Sequence, residues 1–392
     1  MARVLIIAYT NYFHDGRVKR HAEALVERGD QVDVICLDTP NKGPLNGVNV
    51  IGLKMPRYRG LSRTAYIRSY VRFFALASIE SMRLSRPVRY DIVIVCTMPD
   101  AAVVCAIGPK LLGSKIVLDV HDTMPELYQD KFGGRRGAIG ARLLMAEERV
   151  SASLADSVFA VHDLHRERLA QAGISPEKIK VVMNLPDPRI FAPHPNGQAP
   201  NEGFIIVCHG TVTHRLGLDV ALQATHLLRK RIPCVRLMVI GSGDHLGASQ
   251  RLAGTLDLDG HVNFLPPVPI EQLPTALNGA SVGVVPNLAS SATHLMLPVK
   301  LLEYATLGIP VVAARLRTIQ HYFDDGAVSF FVPGDPLDLA DALEKLYRKP
   351  ERRTELIKNA KEVANRLSWA NQRRQYYEAI DSLLLDNRCQ ER

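Results

Sequence analysis

Lys300 and Glu303 stand one helical turn apart in LMLPVKLLEYATLGIPVVA, residues 295–313, as the two charges of an otherwise largely apolar segment. Pro298 suits a first helical position, Gly308 a C-terminal cap, and Pro310 with the VVAA run an exit into a strand. The segment therefore predicts a helix of about ten residues. A cation in a first turn is unfavourable by ~0.3–1 kcal/mol, because the free N–H groups there already carry positive charge. Either Lys300 and Glu303 form a plain surface ion pair, or an anionic ligand sits opposite that helix end.

Other strand ends carry polar residues that a core does not require. In IIAYTNYFHDGRVKR the first strand gives way to Asn11, His14, Asp15, Gly16 and Arg17 before a helix begins. Free N–H groups at such a start can hold an anion and Arg17 would add a charge, although a capped turn accounts for the same residues. VLDVHDTMPELY places Asp119, His121, Asp122 and Glu126 together at a strand end, a density of titratable groups that favours a site. VCHGTVTHRLGLD sets His209, Gly210, Thr211 and Arg215 between a buried strand and a helix, where Arg215 could grip a phosphate with both guanidinium nitrogens. VIGSGDH offers Gly241 and Gly243 without the third glycine of a dinucleotide fingerprint, so a tight turn is the simpler reading. HDLHRERL holds His162 and His165 at helical spacing with no third ligand in view, and no metal site is expected.

Parallel sheets must position these loops. Apolar, β-branched runs (RVLIIAY, QVDVICL, YDIVIVC, KIVLDV, SVFAV, IKVVMN) alternate with helical stretches in the first half, as strands covered on both faces do. LPDPRIFAPHPNGQAPNEG, residues 185–203, has five prolines and two glycines and reads as a linker. The alternation then resumes with FIIVCHG, RLMVIGSG, HVNFLPP, SVGVVPN, PVVAA and VSFFVPG. The expected α/β architecture is two doubly wound, Rossmann-like domains facing a central cleft, residues 1–184 and 204–368. The last helical run, 369–392, could pack on either domain.

The 392 residues, 47% hydrophobic, suffice for two cores. No stretch of about 20 apolar residues is present, and MARVLIIAYT reads as a first strand rather than a signal peptide. Six scattered cysteines without a C-x-x-C pair suit buried thiols in a reducing cytoplasm. Of the net charge of +8, all but +1 falls in residues 1–184. Much of it lies in residues 54–89, where eight Arg and one Lys, interleaved with aromatic and aliphatic residues, face only Glu80. That pattern suits either a solvated basic helix or a segment lying on an anionic membrane surface. Zinc-finger, helix-turn-helix and RNA-recognition patterns are missing, so nucleic acid is not an expected partner.

In that order, HGTVTHRLGLD, LMVIGSGD, VNFLPPVPIEQLPTALNGASVGVVP and LPVKLLEYATLGIPVVA resemble the retaining GT-B glycosyltransferases of family four. The likeness runs from HDGRVKRHAEALVERGDQVDVI to FFVPGDPLDLADALEKLY, nearly the whole chain. The resemblance implies a UDP- or GDP-sugar donor held mainly by the C-terminal domain, a glycan or lipid-linked acceptor, and a final helix that crosses back to complete the N-terminal domain. It places Glu303 on the ribose hydroxyls as the second glutamate of the E-x(7)-E signature. Lys300, Arg215 and the backbone of Leu297, Pro298 and Val299 would lie by the diphosphate, with Gly210, Thr211, Gly241 and Gly243 in the donor loops. His121 would line the reacting sugar, and Gly16, Arg17 and Asp122 would belong to the loops nearest diphosphate and acceptor. In one departure, the first signature glutamate falls at Leu295, beside His294, as in a branch with an LPxKLLEY motif. Contacts to the donor sugar's 3- and 4-hydroxyls are thus left unassigned.

The implied reaction is hexosyl transfer with retention of configuration, without a cofactor or required metal, in polysaccharide or glycolipid assembly at the inner face of a membrane. No carboxylate pair suited to double displacement stands out, which favours a front-face route in which the protein stabilises the leaving diphosphate. The competing readings are inversion with Asp122 or His121 as base, a nucleotide-sugar epimerase of the same fold, and a non-catalytic glycan- or membrane-binding protein.

Overall fold

The computed structural model describes residues 1–38, 43–58, 63–192 and 203–390. Residues 59–62 of the basic segment and 193–202 of the expected linker lie outside the described residues. The chain divides into two compact units, Met1–Asn184 with Ala370–Arg392, and Leu185–Trp369. The first eight residues of the expected linker therefore belong to the second unit.

In the first unit the strands are β1 (Arg3–Ala8), β2 (Gln31–Leu37), β3 (Gly43–Leu45), β4 (Val48–Leu53), β5 (Ile92–Cys96), β6 (Lys115–Asp119), β7 (Ser157–Ala160) and β8 (Ile179–Val181). Their order is β3-β4-β2-β1-β5-β6-β7-β8, parallel except where β3 meets β4. All five residues of β5 are buried, as expected of a strand covered on both faces. The hairpin β3–β4 was not anticipated, although Asn46-Gly47, both at positive φ, is a common two-residue turn signal. The C-terminal helix, Trp369–Gln390, packs within this unit. Tyr376 stacks on His21 at 4.8 Å, Gln372 accepts the Met183 N–H at 3.1 Å, and the Tyr377 hydroxyl donates to Ala24 O at 2.6 Å.

In the second unit the strands are β9 (Phe204–Thr211), β10 (Val235–Ser242), β11 (Val262–Leu265), β12 (Val282–Val285), β13 (Val311–Ala314) and β14 (Ser329–Phe331). They are ordered β11-β10-β9-β12-β13-β14 and all run parallel. The order reverses direction between β9 and β12, and in such sheets ligands bind beyond the strand ends at that reversal. His209, Gly210 and Thr211 end β9 there.

Cys36, Cys96 and Cys208 are buried free thiols, as their apolar strands suggested, and so is Cys105, which lies in a 3₁₀ helix, Asp100–Ala106. Cys234 departs from that expectation and is exposed. No helix among the described residues is long and apolar enough to cross a membrane.

Candidate active site

The opening helix forms over Val299–Leu307, with Pro298 as its N-cap and Gly308, at φ +74°, as its left-handed C-cap. Pro298 thus stands one residue before the position expected of it. No side-chain hydrogen bond caps the N-terminus, so the Val299 and Lys300 N–H groups keep their capacity for an anion, while the Leu301 N–H donates to Pro298 O at 3.0 Å. The Lys300–Glu303 surface pair does not form. Glu303 is 7% exposed, and its Oε2 lies 2.7 Å from Nε2 of His209 at the end of β9. Lys300, half-buried, has neither a carboxylate partner nor a hydrogen bond among the described residues. One charge of the motif is thereby fixed within the fold and the other is left free.

Lys300 lines a small cavity with His209, Gly210, Thr211 and Leu218. A second cavity of about 240 Å³ opens across the ends of β9 and β10, lined by Gly210, Thr211, Gly241, Ser242, Pro267 and Val268 among others. His209 borders both. The glycines create this space by close backbone approach. A Cβ on Gly241 would lie 1.9 Å from Gly210 O, and one on Gly243 2.0 Å from Val212 O. Gly210 itself has φ +105°, a conformation L side chains rarely adopt. Gly241 borders the larger cavity, whereas Gly243 serves the turn beyond it.

Arg215 sits in a short 3₁₀ turn, His214–Leu216, whose Arg215 O accepts the Leu288 N–H at 2.9 Å. Its buried Nε has no hydrogen-bond partner, and it lines neither of these two cavities. Leu297 and Val299 are half-buried and Pro298 buried. Leu295 ends a 3₁₀ turn, Thr293–Leu295, and the neighbouring His294 is already engaged, its Nδ1 accepting the Arg317 N–H at 3.2 Å. That nitrogen serves the start of the helix Arg317–Tyr322.

In the first unit the loop of Gly16 and Arg17 is the capped turn that was one of its two readings. Gly16 begins a helix, Gly16–Glu27, whose N-cap Asp15 accepts the Val18 N–H at 3.1 Å, so a carboxylate already occupies the anion position. Arg17 is turned into the interior of this unit. It is 5% exposed, ion-paired with Asp119 and hydrogen-bonded to Val182 O at 3.3 Å. Burial alone would raise the Asp119 pKa, but the Arg17 guanidinium and His121 outweigh it and hold the carboxyl well below the usual range. His21 is pushed well below its ordinary value by burial and by Arg17.

Asp119 also orients His121, whose Nε2 lies 3.1 Å from Asp119 Oδ2 while its backbone N–H donates to Thr97 Oγ1 at 3.0 Å. With Nε2 directed to a carboxylate, Nδ1 is left as the ring's proton acceptor. Asp122 is half-buried, one residue before the Thr123 cap of the helix Met124–Phe132. Ligating atoms of Cys96, Asp119 and His121 lie within 4.8 Å of one another. A metal ion there would compete with Arg17 for Asp119, and burial raises the Cys96 thiol well above its ordinary value. His162 and His165 spend their Nδ1 atoms on the His165 and Val161 N–H groups.

The buried pair supplies a stability prediction. Asp119→Asn leaves the Arg17 guanidinium uncompensated and should cost about 3–5 kcal/mol, measured as a lower urea midpoint at unchanged slope. A loss below about 1 kcal/mol would contradict the pairing. Because folding lowers the Asp119 pKa, the unfolded chain binds the extra proton in acid. The pair's contribution is therefore full above about pH 4 and falls as pH drops towards the folded value.

The profile of the Glycosyl transferases group 1 family matches residues 192–363, and that of the Glycosyl transferase 4-like domain matches residues 16–184. The chain belongs to this glycosyltransferase family. A GDP-mannose-dependent alpha-(1-6)-phosphatidylinositol monomannoside mannosyltransferase of Mycolicibacterium smegmatis is 29% identical over 208 residues, 50% of this chain and 54% of that protein. A D-inositol 3-phosphate glycosyltransferase of Saccharomonospora viridis is 30% identical over 243 residues, 58% of this chain and 55% of that protein. The matches thus span about half the length of these curated relatives. The solved structure of Anabaena HepE in complex with UDP and glucose superposes with a TM-score of 0.73 over 97% of this chain and 100% of its own, at 16% identity. That likeness supports the GT-B glycosyltransferase fold.

Within the family frame, sequence reasoning singled out Lys300, Glu303 and the β9 loop but gave His209 no role. It also overlooked Pro267, Val268 and Leu273 around the larger cavity. A histidine closing a buried strand just before the glycine was the available signal.

Proposed function

We propose that the chain moves a hexose-type sugar, with retention of anomeric configuration, from a UDP- or GDP-sugar to a glycan or lipid-linked acceptor in cell-surface polysaccharide or glycolipid assembly. The observation that carries this reading is the half-buried Lys300. It has no carboxylate partner among the described residues and stands on an uncapped helix start beside cavities at the β9 end. A diphosphate supplies the missing negative charge, and Glu303 takes the ribose hydroxyls. The mannosyltransferase relative is named for GDP-mannose and the HepE structure for UDP and glucose, which supports a nucleotide-sugar without choosing its base.

In this reading Lys300, Arg215 and the helix N–H groups stabilise the negative charge that gathers on the leaving diphosphate. The acceptor hydroxyl attacks on the same face, and its proton passes to the departing phosphate. His121, held by Asp119, lines the reacting sugar. No metal is required in this scheme. Titration calorimetry with UDP and GDP tests the donor site: one of them should bind, and binding of neither would overturn the reading.

The acceptor follows from the basic helix Arg63–Ser85. Ile67, Val71 and Ile79 are exposed at 62%, 60% and 65%, on the same helix as Arg68, Arg72 and Arg83. Apolar side chains left in water among arginines suit the surface of an anionic bilayer and an acceptor embedded in it. The chain should sediment with vesicles containing phosphatidylglycerol at low salt and release them as salt screens the attraction. Failure to bind those vesicles would remove the lipid-linked acceptor.

A further inference from the structure

His209 is 6% exposed and every polar atom of its ring is used. Nε2 lies 2.7 Å from Glu303 Oε2 and Nδ1 2.8 Å from the Tyr304 hydroxyl, which also accepts the His209 backbone N–H at 3.2 Å. The two rings meet edge to face at 4.9 Å. The Tyr304 hydroxyl is therefore placed to give its proton to Nδ1, the nearer of two acceptors, since Val207 O lies 3.3 Å away. An accepting Nδ1 leaves the ring proton on Nε2, which then donates to the Glu303 carboxylate. Burial raises the Tyr304 pKa well above its ordinary value, consistent with a hydroxyl that stays a neutral donor. Glu303 Oε1 has no partner among the described residues.

We propose that His209 is a positioning residue for donor recognition: fixed by Tyr304, it clamps one oxygen of Glu303 so that the other is presented in a fixed orientation to the hydroxyls of a nucleoside diphosphate. The inference rests on the nucleotide-sugar reading given above. It assigns the specificity for ribose over deoxyribose to a residue that itself touches no ribose. An unclamped glutamate at this site would lose carboxylate orientation before it lost charge, and a bidentate contact with a diol depends on orientation.

The test is titration calorimetry of the full chain with UDP, GDP and their 2′-deoxy analogues. The wild type should prefer the ribonucleotide by about tenfold or more, the scale of one charged hydrogen bond. His209→Ala should bring ribonucleotide affinity down towards the deoxynucleotide's level and weaken the latter, which keeps its 3′-hydroxyl, by less. His209→Gln, whose amide can still donate to Glu303, should restore part of the preference. It also stands in as the informative variant if the alanine protein does not fold, with its preference expected to lie below the wild type's. Equal weakening of both ligands would show mere pocket damage and overturn the proposal, as would an undiminished preference in both variants. A wild type that binds neither UDP nor GDP would overturn the nucleotide reading as well, which separates the two failures.

Discussion

Glu303→Ala is expected to lower affinity for the preferred nucleoside diphosphate by about tenfold or more and to abolish donor turnover, while the protein remains folded. Glu303 is the only charged group of its helix besides Lys300, and its carboxylate is buried against the His209 ring at 2.7 Å. Removing it leaves the buried His209 Nε2 without its partner, so the stability cost should be about 1–3 kcal/mol. The functional cost is larger, because a charged bidentate contact to two hydroxyls disappears and the donor loses its register against the attacking group. Glu303→Gln separates the components, since it keeps the shape but loses the charge. Calorimetry and diphosphate release measured on the same preparations check the expectation. Wild-type affinity in Glu303→Ala would remove this residue from the site.

Lys300→Ala should reduce turnover by ~100-fold or more, the scale seen when one preorganised donor to a developing charge is lost. Its stability should not fall. A first-turn cation with no partner costs the free protein ~0.3–1 kcal/mol, so the alanine variant should melt at the same temperature or slightly higher. That opposition of activity and stability distinguishes a functional lysine from a structural one, whose removal would depress both. Lys300→Arg keeps the charge on a longer, planar head and should recover only part of the rate. Thermal melts alongside steady-state turnover decide the matter. Near-normal turnover, or a clear loss of stability, would contradict the assignment.

Much of this was legible in the residues themselves. Near-continuous apolar runs announced strands β1, β2 and β5 to β14, because strands buried on both faces cannot alternate with polar residues. The hairpin β3–β4 escaped because β4, VNVIGL, interleaves buried positions with exposed and half-buried ones and lacks that near-continuous run. The helix Val299–Leu307 was bounded within a residue by its proline and glycine. Its charges were harder to place. Spacing along one helix made Lys300 and Glu303 neighbours, but spacing cannot rank that contact against His209, which lies 94 residues away in the chain. Tertiary packing supplied the stronger partner. Arg17 illustrates the same limit: a cation at a strand-to-helix turn suits an anionic ligand or a buried carboxylate equally well, and Asp119 is 102 residues distant. The Asp119–His121 neighbourhood was visible as a cluster of titratable groups, whereas the roles within it required knowing which member is buried.

Lys300, without a partner among the described residues, and the clamped Glu303 together form the proposed donor site for a nucleotide-sugar. The most direct test incubates the purified chain with a panel of UDP- and GDP-sugars in the absence of acceptor, following binding and release of nucleoside diphosphate together. One donor should bind and be slowly hydrolysed, and both signals should vanish in Glu303→Ala. Binding of no donor, or hydrolysis undiminished in that variant, would contradict the proposal.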